Sequence, residues 1–141
     1  MSCEPRALGR FRMRLQLINN KIFLMRNFKE LKIWQKGFQI AVNSFKLGST
    51  FPKEEKFGIT IQITKAAVSI HSNIAEGSSR SSEKDYNRFL EDSLGSSFEL
   101  ETQLLIAAAA NYGDKELRDE ILKSVDEEKK MLISFMNKLI K

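Results

Sequence analysis

Ala66-Ala67-Val68-Ser69-Ile70-His71-Ser72-Asn73-Ile74-Ala75-Glu76-Gly77 is the stretch that decides the fold. It predicts a helix that is apolar on nearly every side. Ile59, Ile63, Ala66, Ile70 and Ile74 fall on one stripe at helical spacing, and Phe57, Ile61, Val68 and Ala75 widen it. Gln62, Lys65, Ser69, Ser72 and Glu76 form the one thin polar stripe. A helix this apolar has more than one covered face, so it lies inside a helical bundle. Pro52 suits its first position, and Glu54 and Glu55 suit a first turn where the helix dipole favours negative charge. Gly77 reads as a left-handed cap at its end. The predicted span is 52–76.

Three more helices follow from the same spacing argument. The first, over 28–47, has the apolar stripe Leu31, Trp34, Phe38, Ala41 and Phe45. Lys29, Lys32, Lys36 and Lys46 repeat that rhythm two residues earlier. Two residues turn a helix by about 200°, so the lysines form a basic stripe opposite the predicted core. The third helix, over 82–111, opens at Ser82, with Asp85 three residues on as in a capping box. Tyr86, Phe89, Leu90, Leu94, Phe98, Leu104, Leu105 and Ala108 are its predicted contacts. Gly95, followed by Ser96 and Ser97, costs roughly 1 kcal/mol in mid-helix and leaves a smooth place for another backbone. Asn111-Tyr112-Gly113 ends this helix and Asp114 caps the fourth, over 114–140. There Leu122, Val125, Leu132, Met136 and Leu139 make one stripe, interrupted only by Lys129. Short connections force neighbours antiparallel. The expected fold is all-α: an up-down-up-down antiparallel four-helix bundle behind a flexible or extra N-terminal segment.

Composition agrees with one domain. The chain has 141 residues, 42% hydrophobic and 29% charged. No proline occurs after Pro52, which favours helix. The longest purely apolar run, Leu104 to Ala110, is far short of the roughly 20 residues that cross a bilayer. A lone cysteine, Cys3, excludes an internal disulfide and fits a reducing compartment, so a cytoplasmic location is expected. The net charge of +5 belongs to residues 1–27, where Arg6, Arg10, Arg12, Arg14, Lys21 and Arg26 face Glu4 alone. Acid and base balance over 28–141. The leader reads either as a basic arm for nucleic acid or as a disordered segment ahead of a natural start at Met25.

The segments Phe28-Lys29-Glu30-Leu31-Lys32-Ile33-Trp34-Gln35, Lys53 to Gln62, Ser69 to Gly77 and Gly95-Ser96-Ser97-Phe98-Glu99-Leu100-Glu101, taken together, resemble the four-helix bundle proteins. Some of these are encoded in intervening sequences of bacterial 23S ribosomal RNA genes. A related branch is the accessory protein of diversity-generating retroelements. The chain departs at His71, where proline is common, and at Thr64-Lys65, where arginine pairs are frequent. The resemblance implies a ring-like homo-pentamer, with nucleic-acid binding in the retroelement branch.

Catalytic machinery is not expected. His71 is the only histidine, so a nucleophile–histidine dyad or a histidine-rich metal site is incomplete, and no Glu-x-x-His pair for a di-iron centre occurs. No cofactor is expected. His71 reads as a structural residue on the stripe Thr64, Val68, His71, Ala75. Glu76 is locally unfavourable near a helix C-terminus, and Arg80 is the nearest residue to offset it. With Asn73 and Gly77 these residues read as a polar lock on the turn. Glu99 and Glu101 point to different sides of their helix, one of them toward Lys65. Lys29, Lys32, Lys36 and Lys46 are the candidates for nucleic acid. The expected function is an oligomeric binding or scaffold protein associated with nucleic acid. The alternative is an assembly module that binds a protein partner.

Overall fold

The computed structural model describes residues 9–16 and 27–140, and these are all-helical with no strand. Residues 9–16 form α1, whose side chains are exposed throughout. The remainder of the basic leader lies outside the described residues. Four long helices follow: α2 (Lys32–Gly48), α3 (Ile59–Ser78), α4 (Glu83–Ala109) and α5 (Lys115–Ile140). No described helix is long and apolar enough to cross a membrane.

Two helix starts differ from the spacing argument. Residues Asn27–Glu30 form a 3-10 turn, and Leu31 is extended before α2 begins. Pro52 precedes a second 3-10 turn, Lys53–Glu55, and α3 begins only after Gly58. Pro52, Glu54 and Glu55 therefore serve that short turn, not the long helix. The 3-10 preference has a local reason: carbonyls of Pro52, Lys53 and Glu55 each accept from the amide three residues on, and Gly58 then breaks the run.

Other boundaries match their signals. Ser82 Oγ accepts from the Asp85 amide at 3.1 Å, and Asp114 Oδ1 accepts from the Leu117 amide at 2.8 Å. Asn111 and Gly113 take left-handed φ values of 59° and 79° and turn the chain between α4 and α5.

Paired contacts run in opposite directions along each seam. Gly48 lies by Thr60 while Gly37 lies by His71. Ser69 bonds Ser96 while Gly77 meets Tyr86 and Phe89. Lys129 meets Glu101 while Tyr86 meets Phe135. Lys36 meets Glu127 while the Thr50 hydroxyl accepts from the Asp114 amide. The four helices thus circle one core in the order α2, α3, α4, α5. Its centre is Ile40, Leu47, Ile63, Ile70, Ile74, Leu90, Leu100, Leu104, Ile121, Val125 and Leu132.

Neither Gly77 nor Gly95 has the role expected of it. Gly77 is not a left-handed cap: it lies inside the last turn of α3, buried. A Cβ there would sit 2.8 Å from Phe89 Cβ and 3.3 Å from the Tyr86 carbonyl, so its value is the close crossing of α3 and α4. Gly95 is exposed, and a Cβ there meets nothing within 4 Å. The smooth surface at Gly95 faces out of the chain.

Gly77→Ala should therefore lower stability by about 1–3 kcal/mol through overpacking. Gly95→Ala should raise it by up to about 1 kcal/mol, the helix-propensity difference alone. Urea midpoints of the two variants check both signs, and equal effects would contradict this packing.

Candidate functional site

The buried stripe of α2 is Ile33, Gly37, Ile40, Ser44 and Leu47. Of the stripe expected from the sequence, Leu31, Trp34, Phe38, Ala41 and Phe45, Ala41 is buried in the core and Leu31 and Trp34 pack against it, while Phe38 and Phe45 stand one residue off the buried stripe. One residue is 100° around a helix, so the aromatics stand beside the core, not in it. Phe38 is 47% exposed and Phe45 58%. A partial displacement recurs on α4. There the expected Leu90 and Leu104 are buried, with Ser93, Ser97, Leu100 and Ala107, while the expected Phe98 and Leu105 are about half exposed. In both helices the true core stripe holds glycine or serine, and the larger apolar residues come next in sequence.

These displaced residues gather into two faces. Along the α2–α3 seam lie Trp34, Phe38 and Phe45 with Phe57, Ile61 and Val68 of the neighbouring chain stretch. Trp34 and Phe38 stack at 5.3 Å, and both meet the His71 ring edge-on at 5.9 and 5.8 Å. A groove of about 420 Å³ between Phe45, Phe57 and Ile61 continues this face to the α2–α3 turn. The second face carries Phe98 and Leu105 near α5, where the Lys129 ammonium lies 4.9 Å from the Phe98 ring. Because the helices circle the core in order, the two seams are on opposite sides.

The lysines do not form one continuous stripe. Lys29 belongs to the 3-10 turn and its carbonyl accepts from Gln35 Nε2 at 2.8 Å. The extended residue Leu31 breaks its register with Lys32. Lys32 and Lys46 are exposed at the two ends of α2. Lys36 is half-buried and ion-paired with Glu127 of α5, which it holds below the usual carboxylate range. Three of the four lysines, then, present an unburied ammonium.

The turn between α3 and α4 carries the residues expected to lock it. Glu76 pairs with Arg80 at 3.1 Å, and the Arg80 guanidinium also lies 4.5 Å from the Phe89 ring. Asn73 Nδ2 donates to the Ser69 carbonyl at 2.8 Å and to Ser69 Oγ at 2.9 Å. Ser69 Oγ in turn bonds Ser96 Oγ at 2.8 Å across to α4. Neither Glu99 nor Glu101 meets Lys65. Glu99 accepts from Gln103 Nε2 at 3.2 Å, and Glu101 pairs with Lys129 of α5, because α5 and not α3 faces that side of α4.

Two buried ionisable side chains, Arg118 and Glu128, escaped the sequence argument. The α5 stripe runs through Arg118, Ile121, Val125, Glu128 and Leu132, so the polar interruption at its centre is Glu128 instead of Lys129. Glu128 has no exposure, and burial pushes its carboxyl up to about 8 despite the nearby Lys36 charge. It lies against Gly37. His71, half-buried, is held below its ordinary value by burial, partly offset by the Ala67 carbonyl. The available signal was the spacing of Ile121, Val125 and Leu132, into which Glu128 fits and Lys129 does not.

Among the described residues no group of histidine, cysteine, aspartate and glutamate is arranged to hold a metal ion. What the surface offers is an aromatic face, a second apolar face opposite, and a lysine-bearing flank.

Comparison with known proteins agrees with this architecture. The family model for the 23S rRNA-intervening sequence protein matches residues 29–134. A solved structure of a protein with unknown function from the S23 ribosomal protein family of Bacteroides thetaiotaomicron superposes with a TM-score of 0.68. The two share 28% identity over 74% of this chain and 97% of that one. No curated protein matches. With three-quarters of its length matched and the helical core in common, the chain belongs to the 23S rRNA-intervening sequence protein family.

Proposed function

We propose that this protein is a non-enzymatic scaffold, an up-down-up-down four-helix bundle that assembles with copies of itself and associates with nucleic acid. The observation that carries the reading is the one-residue displacement of Phe38 and Phe45 from the core stripe of α2. Aromatic residues at helical spacing on an uncovered face are what a partner surface requires, since an interface centre is enriched in them. The two apolar faces lie on opposite seams. Opposite, unlike faces join head to tail, and head-to-tail contacts generate rings when the rotation closes. The family resemblance implies a pentamer. A cytoplasmic setting accompanies this reading.

Protein starting at Met25 should run as a homo-oligomer in light scattering at micromolar concentration. Phe38→Ser with Phe45→Ser should yield monomers of unchanged helicity, because neither ring contributes to the core. A wild-type monomer, or an oligomer indifferent to the double substitution, would remove this face from assembly.

Assembly repeats Lys29, Lys32 and Lys46 around a ring and multiplies a weak phosphate contact. Nucleic-acid affinity should fall with salt, and the log–log slope should flatten by about 0.9 for each phosphate contact removed. Replacing these three lysines with glutamine should weaken RNA and DNA alike while leaving assembly intact. Lys36 behaves differently: Lys36→Gln breaks its pair with Glu127 and perturbs the α2–α5 seam. Absence of binding by the shortened protein at low salt would favour the alternative reading, an assembly module for a protein partner.

A further inference from the structure

Three helices meet at Gly37. A Cβ there would lie 3.0 Å from His71 Cβ and 3.3 Å from Ile70 Cγ2, both on α3, and 3.3 Å from Glu128 Oε2 on α5. The backbone of α2 therefore passes directly over a carboxyl group. Glu128 is fully buried, and neither of its oxygens has a hydrogen-bond partner among the described residues. A carboxylic acid tolerates that position far better than a carboxylate, which must gain water or a counter-charge once ionised.

Among the described neighbours none is free to pair with that charge. From α2 comes Lys36, whose ammonium is engaged by Glu127. From α3 comes His71, whose protonation burial disfavours. The core side of α4 presents Ser93, Ser97 and Leu100, and its Glu101 is occupied by Lys129. Ionisation of Glu128 is therefore relieved by separation of α2 from α5. Such a movement is transmitted outward, because the same side of Gly37 also meets His71, whose ring has Trp34 and Phe38 packed on it.

We propose that Glu128 is a proton-operated latch on assembly: its neutral carboxyl lets α2 close at Gly37 and holds the Trp34–Phe38–His71 face in register for a second copy of this chain, and its ionisation loosens that face. The latch rests on the reading of this face as the contact between copies.

The direction with pH follows from linkage. The folded-state value of Glu128, about 8, lies above the ordinary glutamate value of 4.5. Its contribution is complete below 4.5 and is lost as pH rises through about 8. The largest slope one such proton gives is about tenfold in the folding equilibrium per pH unit. His71 acts in the opposite sense: its folded value is lowered from 6.5, so its contribution is lost as pH falls through that region. The arm above pH 6.5 thus reports Glu128.

The test uses the full chain, with light scattering and amide exchange recorded from about pH 6.5 to about pH 9.5, above the region where His71 titrates and across that of Glu128. Wild-type assembly should weaken progressively up to about pH 8, by as much as about tenfold per pH unit, and level off above it, with amides around Gly37 losing protection, relative to amides elsewhere in the chain, over the same range. Glu128→Gln keeps the size of the acid without its ionisation and should remain assembled throughout. Lys36→Gln removes a charge that favours the ionised form and should move the midpoint to higher pH. An oligomer insensitive to pH, or Glu128→Gln dissociating in parallel with wild type, overturns the latch while leaving the interface standing. A monomer at every pH overturns both. Should Glu128→Gln fail to fold, carboxyl-carbon NMR of the wild type decides: a glutamate titrating near 8 supports the latch, and its absence sinks it.

Discussion

Close approach of helices over small buried side chains is the constraint on which the other features depend. Gly37 brings α2 onto α3 and α5, and Gly77 brings α3 onto α4. Ser93 donates its hydroxyl proton to the Ile70 carbonyl at 2.7 Å, which replaces bulk with a short polar contact in the same seam. Helices that approach this closely leave no room for aromatic side chains between them. Phe38, Phe45 and Phe98 are consequently displaced one position around their helices and face outward. The same closeness brings Glu128 under the α2 backbone, where water does not reach it.

The helical class, the number of long helices and the turns at Ser82 and Asp114 were legible because caps and apolar periodicity act locally. The α3 stripe of Ile63, Ala66, Ile70 and Ile74 was legible for another reason: isoleucine and alanine leave no competing stripe. On α2 and α4 the spacing argument placed Ala41, Leu90 and Leu104 correctly but assigned to the core Phe38, Phe45, Phe98 and Leu105, which stand one residue off it. It weighs hydrophobic bulk, and the true core stripes carry Gly37, Ser44, Ser93 and Ser97. Bulk marks the core only when one chain covers all of its own apolar surface. Where a second surface exists, the larger residues follow that surface. The starts of α2 and α3 were missed because a 3-10 turn and an α-helix share the same capping residues over their first three positions.

The candidate site was legible in kind more than in arrangement. Arg80 as the partner of Glu76 follows from the four-residue spacing that joins helix neighbours. The lysine stripe assumed one unbroken helix from Phe28, and the extended Leu31 removes that assumption. Lys36 and Glu101 are paired across to α5, and such pairings depend on which helices adjoin, which spacing within one helix does not reveal.

Two apolar faces on opposite seams also set a condition on geometry. Copies joined face to opposite face advance by a fixed rotation, and the assembly closes only when whole numbers of that rotation complete a circle. Within each chain the relation between the faces depends on how α3 packs on α4, and Gly77 lies where those two helices approach closely, against Tyr86 and Phe89. In the proposed ring, a residue at the α3–α4 crossing would thereby decide between a closed particle and an open filament. Added bulk at Gly77 would then reach every junction at once, since each copy would contribute the same altered angle.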